Sequence, residues 1–465
     1  MKRPNILIIY TDQQRWDTLN VNGNPDIRTP NLDRLAQEGV NFDHFYVQNP
    51  VCMPSRVSFL TGQYPATLGI THMGVPVPPE TMALPRLLRN AGYRSANIGK
   101  LHFLPHANRD HRQVHPHYGF DHLEISDEPG PYEDAYRAWV RRTAPDQLDH
   151  LSVGLPPAAE TWYRMMRVQD TVVHPQERFP KHPIPFPGRD EVTHTAFVAE
   201  RTIDYLRNRA ASPDPFMCIA GIYSPHSPWV APQRFIDMYD PQALALPDFP
   251  PEVEEQRGPG HYDDDELRRA RQGYYAMVTE VDHHVGRILD ALDASGLADN
   301  TMVVFTSDHG EWLGEHLKYG KGYPGHDCVS RVPLLVRMPG TTGRRVSHLV
   351  EAVDVVPTLL EAAGVPVPPH VQGRSLLPLL NGSDGPVRDS ALMEFTGWKM
   401  LTTQAFRYVA HANGQEFLYD LREQWGEYRN VSEDSKYAAD LSEHRRKLVQ
   451  RVIAQEQPLP RIWPY

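Results

Sequence analysis

The run NILIIYTDQ, residues 5–13, decides the fold. Its apolar part is short and continuous, without the alternation of a half-exposed strand, and it reads as a strand buried on both faces. The change of character after Thr11 puts Asp12 and Gln13 just past the carboxyl end of that strand. Met1, Lys2 and Arg3 ahead of it resemble the start of a signal peptide, but the apolar run stops at Tyr10 and no small-residue cleavage site follows.

The same pattern recurs. SANIG (95–99), FMCIAGIY (216–223), MVVFTS (302–307) and PLLVRM (333–338) read as further buried strands. Helical patterns lie between them: 29–39, with Pro30 at the start and Gly39 at the stop, then 81–92, 191–210, 268–292 and 353–364. This alternation predicts an α/β fold around a large, mostly parallel central sheet flanked by helices. Residues 104–190 break the rhythm with Pro, His and Arg and read as an insertion near one end of the sheet. After 381 the texture changes again. FRYVAHANGQEFLYDL (406–421) is a hairpin candidate with Asn413-Gly414 in its turn, and a polar helix is expected over 437–456. The expected organisation is a catalytic domain over 1–381 and a small C-terminal antiparallel α+β subdomain over 382–465.

Composition narrows the function. The 465 residues carry 47 basic and 58 acidic side chains, a formal net charge of -11, which argues against general binding to nucleic acid or an acidic membrane. No run reaches membrane-spanning length. Three cysteines (Cys52, Cys218, Cys328) cannot staple a chain of this size, which favours a reducing compartment and a cytoplasmic location. A homo-oligomer is compatible with this composition.

In open α/β sheets, ligands bind beyond the carboxyl ends of the strands. The polar groups of interest follow the apolar runs: Asp12 and Gln13, Lys100 and His102, His226, Asp308 and His309. Two carboxylates, an amide oxygen and an imidazole suit a divalent cation such as Ca²⁺, Mg²⁺ or Mn²⁺. Lys100, His102, His226 and Lys321, with Lys318 as a nearby alternative to the last, would surround it with positive or proton-donating groups and so favour an anionic substrate. His326, His283, His284 and the histidines of 106–117 read as surface or scaffold residues. Trp139, Trp162, Tyr163 and Trp229 read as packing.

Residues 49–62, NPVCMPSRVSFLTG, then raise the question of Cys52. A cysteine at a helix start is commonly a small hydrophobe or a thiol nucleophile, and thiol chemistry does not call for a hard cation. CMPSRVSFLTG resembles the signature of the type I sulfatases of the alkaline phosphatase superfamily, C-x-P-S-R followed by L-T-G. The resemblance runs on through PNILIIYTDQQRWD, TPNLDRLAQEGVNFDHFY, GYRSANIGKLHF, TSDHGEWLGEH, RVPLLVRMPG and EFLYDL. It implies that Cys52 is converted by a formylglycine-generating enzyme to formylglycine, whose hydrate is the nucleophile and a cation ligand, with Arg56 orienting it. It further implies Asp12, Gln13, Asp308 and His309 as cation ligands, Lys100 and Lys321 on the transferring group, His102 against the diol and His226 near the leaving oxygen. Gln13 stands where many relatives have Asp, and His309 where many have Asn. Both departures also occur in the branches that resemble choline sulfatases and phosphonate monoester hydrolases. The implied cation is Ca²⁺ first, then Mn²⁺ or Mg²⁺. The implied reaction is hydrolysis of small sulfate monoesters through a sulfated hemiacetal, with phosphonate monoester or phosphodiester hydrolysis as the alternative. The GKLHF segment favours the sulfatase.

Overall fold

The computed structural model describes residues 3–106, 109–111, 113–153, 156–167, 169, 171–174 and 180–456. Among them are strands β1 (Asn5–Thr11), β2 (Val40–Tyr46), β3 (Arg94–Gly99), β4 (His122–Ile125), β5 (Ile184–Pro185), β6 (Phe216–Gly221), β7 (Val230–Ala231), β8 (Thr301–Ser307), β9 (Leu334–Arg337) and β10 (Arg344–Glu351). They are followed by β11 (Ala391–Phe395), β12 (Trp398–Thr402), β13 (Phe406–His411) and β14 (Glu416–Asp420). Eight of them form the central sheet in the order β10-β2-β9-β8-β1-β6-β3-β4. All adjacent pairs are parallel except those of β9, which runs antiparallel to β8 and β2.

β1 explains the architecture. Every one of its residues is buried, as an unbroken apolar run requires. Its period-2 alternation sends Ile6, Ile8 and Tyr10 into one core layer and Leu7 and Ile9 into the other. The first layer is closed by helices Cys52–Thr61, Leu84–Arg89 and Val355–Ala362, the second by Pro30–Glu38, His194–Arg209 and the 31-residue helix Asp264–Ala294.

The C-terminal unit is a four-stranded antiparallel sheet, β11-β12-β13-β14, with helix Ala438–Ile453. The expected hairpin is β13–β14, with Asn413-Gly414 in its turn and Ala410 opposite Glu416. Alternation works here as in β1: Met400 and Val409 join the main core, while Leu401 and Tyr408 pack with Leu441 and Leu448 of the helix. Arg407, fully buried on β13, pairs with Asp327 and Glu427 and so ties this sheet to the loop region 318–327.

The 104–190 stretch is more than an insertion. β4 pairs parallel with β3 and closes one edge of the main sheet. HLEI carries too little apolar alternation to be read as a strand. Residues 107–108, 112, 154–155, 168, 170 and 175–179 of this stretch lie outside the described residues.

Candidate active site

β8, β1, β6 and β3 are neighbours and parallel, so their carboxyl ends open onto one edge of the sheet. That edge collects the polar residues following each strand. Gly99 and Gly221 make the crowding there tolerable. A Cβ on Gly99 would lie 2.1 Å from the Gly221 carbonyl oxygen, and one on Gly221 would lie 2.2 Å from that of Lys100. Their absence lets the chain turn and deliver Lys100 to the centre.

Cys52 is the first residue of helix Cys52–Thr61, and Pro54 sits in the first turn, where a missing N–H breaks no helical bond. The helix N-terminus therefore faces the site with its positive dipole end. The Cys52 thiol lies 3.2 Å from His309 Nε2, 3.8 Å from Asp12 Oδ1 and 2.7 Å from Lys321 Nζ. His309 Nε2 is 3.8 Å from Asp12 Oδ1 and 3.7 Å from Asp308 Oδ1. Ligand atoms of Asp12, Cys52, Asp308 and His309 all fall within 4.8 Å of one another, and all four residues are buried.

This donor set fits a divalent cation. His309 Nδ1–H donates to the Gly310 carbonyl at 2.9 Å, which leaves Nε2 as a free lone pair. Burial, opposed by Asp308, keeps that imidazole below its ordinary pKa and hence neutral. Gln13 Oε1 is buried without a protein partner, and the Gln13 backbone N–H donates to Asp308 Oδ1 at 3.0 Å. Two carboxylates, an amide oxygen and a neutral imidazole are hard or borderline donors, and the sulfur stands where a modified residue would offer oxygen.

Arg56 lies behind the carboxylates, 1% exposed. Its Nε is 2.7 Å from Asp308 Oδ2 and its Nη2 3.3 Å from Asp12 Oδ2. Lys100 Nζ is 2.8 Å from Asp12 Oδ2. Burial alone would raise the Asp12 carboxyl, but Lys100 foremost, with Lys321 and Arg56, holds it well below the usual range. The thiol behaves in the opposite way: burial and then Asp12 push Cys52 up to about 11, the reverse of what a thiolate nucleophile needs.

His226 Nδ1 is 2.7 Å from the Ser227 carbonyl and its Nε2 3.0 Å from Lys321 Nζ. Lys318, by contrast, donates to the Tyr323 carbonyl at 3.4 Å and lies over the Trp312 ring, so Lys321 is the lysine that faces Cys52. His102 has a φ of 55°, a left-handed conformation uncommon for histidine, stabilised by Asp127 Oδ1 accepting the Leu101 and His102 N–H groups at 2.9 and 2.8 Å. Both of its ring nitrogens are buried without partners, and its ring lies 3.9 Å from that of His106.

The residues expected from the sequence thus converge: Asp12, Gln13, Cys52, Arg56, Lys100, His226, Asp308, His309 and Lys321 line one centre. His102 lies two residues beyond Lys100, and its imidazole feels the charges of Lys100, Arg56 and Asp12. His326 lies apart, beside Arg407 and Glu427, and Trp139 and Trp229 pack in cores. Sequence reasoning missed Glu128 and Glu311. Glu128 is buried, has an unpartnered Oε2, and is pushed up to about 7 by burial against the pull of Lys100. Glu311 lies inside the quoted DHGEWLGEH, but nothing in that string reports that its side chain meets Gln13.

Comparisons with known proteins identify the family. The sulfatase family profile matches residues 4–365, and the profile of the N-sulphoglucosamine sulphohydrolase C-terminal region matches 314–455. An arylsulfatase of Clostridium perfringens is 30% identical over 98% of this chain and 95% of its own. A multifunctional alkaline phosphatase superfamily protein of Trinickia caryophylli is 29% identical over 96% of this chain and 95% of its own. The crystal structure of the phosphonate monoester hydrolase of Agrobacterium radiobacter superposes with a TM-score of 0.80 at 27% identity, over 98% of this chain and 96% of its own. From its first strand through its C-terminal sheet, the chain belongs to the sulfatase family of the alkaline phosphatase superfamily.

Proposed function

We propose that the chain hydrolyses small sulfate monoesters, with Cys52 matured to formylglycine by a formylglycine-generating enzyme and one divalent cation held by Asp12, Gln13, Asp308, His309 and residue 52. The observation that carries this reading is Cys52 on a helix N-terminus, within 3.8 Å of Asp12 and 2.7 Å of Lys321. Ca²⁺ is the first choice and Mn²⁺ the second, since the oxygen-rich set holds one imidazole and no second-position aspartate. On this reading residues 1–381 carry the chemistry and 382–465 form the supporting subdomain. When present, the cation acidifies a hydroxyl, and the aldehyde hydrate offers two hydroxyls on one carbon, one to attack and one to release the product.

The protein's own groups bind and orient the ester. The sulfate monoester carries one negative charge, which Lys100, Lys321 and the helix N-terminus attract into a water-poor site. Attack at sulfur breaks the bond to the alcohol oxygen, which departs opposite the nucleophile and needs a proton. His226 lies against Lys321, and in the resting site its Nε2 accepts from that ammonium. An anionic substrate draws the lysine onto its equatorial oxygens and frees Nε2, whose affinity for a proton rises; Nε2 takes one up from solvent as the substrate binds and hands it to the departing alcohol. His102, with two unpartnered nitrogens, can take the proton from the second hydroxyl as sulfate is expelled.

Two results follow from these roles. His226→Asn should lower kcat by about 100- to 10,000-fold on an alkyl sulfate and much less on nitrophenyl sulfate, whose leaving group needs no proton. Equal losses on both would remove His226 from the leaving side. Dialysis against a chelator should abolish turnover, and Ca²⁺ or Mn²⁺ should restore it; full activity after chelation would contradict the cation.

The competing substrate is a phosphonate monoester, also singly charged and tetrahedral, and the Agrobacterium radiobacter likeness favours it. The Lys100–His102 pair in GKLHF favours sulfate. The deciding experiment is kcat/KM on nitrophenyl sulfate against a phenyl phosphonate monoester, with metal-loaded enzyme co-expressed with a formylglycine-generating enzyme. A preference for the sulfate is expected, and a preference for the phosphonate would overturn the substrate assignment.

A further inference from the structure

Glu311 is fully buried three residues beyond Asp308 and joins two of the loops that build the site. Its Oε1 accepts the backbone N–H of Leu313 at 3.1 Å and that of Gly320, and its Oε2 accepts from Nε2 of Gln13. Gly320 directly precedes Lys321, whose ammonium rests on Cys52. The Glu311 carbonyl accepts from Arg15 Nη1 at 3.2 Å, so the contact is held from the β1 side as well.

The two ends of a glutamine amide are not equivalent: one only donates and the other only accepts. A carboxylate with two N–H groups on one oxygen presents its second oxygen as another acceptor. An ionised Glu311 thus takes the NH₂ end of Gln13, as the structure places it, and the network then fixes the amide orientation. What remains is Gln13 Oε1, buried and unpartnered. A buried oxygen without a protein partner calls for an explanation, and here it sits on the residue whose backbone N–H meets Asp308 of the donor set. Gln13 also has a φ of 67°, a left-handed conformation that a glutamine adopts only where its surroundings impose it.

We infer that Glu311 is a positioning residue, which holds the Gln13 amide so that Oε1 faces the cation donor set and, through Gly320, fixes the loop that carries Lys321. The inference rests on the cation reading of the site given above. It also accounts for glutamine at position 13: an ionised carboxylate there would meet that of Glu311 in a buried contact with no donor between them.

The test is a double-substitution cycle read by calorimetric titration of the full-length protein with Ca²⁺ and with Mn²⁺, alongside thermal melting. Glu311→Gln keeps an acceptor for Leu313 and Gly320 but turns an NH₂ group toward Gln13, whose amide must flip and present its own NH₂ to the cation. Affinity should fall by about 10- to 100-fold, the usual cost of losing a group that orients a ligand. Gln13→Glu alone should also bind more weakly than wild type, although it adds a negative charge. Combining the two restores one donor against one acceptor, and the double variant should regain most of the wild-type affinity.

A double variant as weak as the sum of the single losses would overturn the pairing. So would a Gln13→Glu protein that binds more tightly than wild type, and that comparison stands even where Glu311→Gln fails to fold. Wild-type protein that takes up neither cation would instead overturn the reading of the site itself, and this inference with it.

Discussion

Cys52→Ala should abolish turnover of every ester the protein accepts while leaving its fold intact. The loss expected is at least about 10,000-fold in kcat, the scale on which enzymes lose activity when a covalent nucleophile is removed. Stability should barely change, because alanine at the first position of helix Cys52–Thr61 keeps the helix start and removes only one buried sulfur. Among the described residues, no other nucleophile takes the place of Cys52 in the cluster with Asp12, Asp308 and His309. Cys218 and Cys328 are buried and free elsewhere, Cys218 inside β6, and Ser55 donates its hydroxyl to the Asp308 carbonyl at 2.5 Å. Cys52→Ser separates the two chemical possibilities: a serine can take the sulfuryl group once but lacks a second hydroxyl on the same carbon to release it. It should give at most a single turnover. Retained turnover in Cys52→Ala, measured on nitrophenyl sulfate under multiple-turnover conditions, would end the formylglycine reading.

The second large effect is expected from Arg56→Ala, and it falls on stability as well as activity. Arg56 is the sole guanidinium between Asp12 and Asp308 among the described residues, and it also donates to the carbonyls of Thr11 at 3.2 Å and Lys100 at 3.3 Å. Its charge lies 4.7 Å from the Tyr10 ring centroid, so the aromatic face shields the pair from water. Removing Arg56 leaves the buried Asp308 carboxylate without its guanidinium, while Asp12 keeps Lys100 at 2.8 Å, at a cost of about 3–5 kcal/mol. Denaturant unfolding of Arg56→Ala should register that loss. Cation should recover part of it, because a bound cation neutralises the same two carboxylates. Arg56→Lys should recover less than half, since an ammonium cannot fork between Asp12 and Asp308 while reaching two carbonyls. An unfolding midpoint equal to wild type without added cation would contradict the role assigned to Arg56.

What was legible in the sequence follows from which signals are local. β1, β6 and β8 are buried on both faces and leave nearly continuous apolar runs, and β3 is buried from Ser95 onward, so a site at their carboxyl ends is marked by the polar residues after each strand. That is why Asp12, Lys100 and Asp308 could be singled out without coordinates. β2, as VNFDHFY, and β10, as RRVSHLVE, lie toward the far edge of the sheet, where polar residues are tolerated and the apolar run breaks up. β4 escaped notice for the same reason at the opposite edge. Alternation in β13 and β14, with Asn413-Gly414 between them, exposed the hairpin because turn chemistry is also local.

Pairwise facts were out of reach. That Lys321 and not Lys318 faces Cys52 depends on the path of a loop anchored by Glu311 and Gly320. That the His106 ring packs at a tilt against that of His102 depends on the fold of a segment whose composition reads as surface. The Gln13–Glu311 contact spans 298 positions and joins two loops, and no periodicity encodes it. The ordered motifs compensated for this at the catalytic centre alone, since a family signature carries tertiary information that propensities lack.

In the reading proposed above, residue 52 performs the chemistry once it is converted from cysteine to an aldehyde. The decisive preparation series carries graded levels of conversion, from expression without a generating enzyme to full co-expression. In each preparation, intact mass of the peptide spanning Cys52 reports the loss of sulfur and two hydrogens and the gain of one oxygen, and kcat is measured on nitrophenyl sulfate with saturating cation. We expect kcat to rise in proportion to the converted fraction and to extrapolate to zero at zero conversion. Activity that is independent of that fraction, or that persists in wholly unconverted protein, would contradict it.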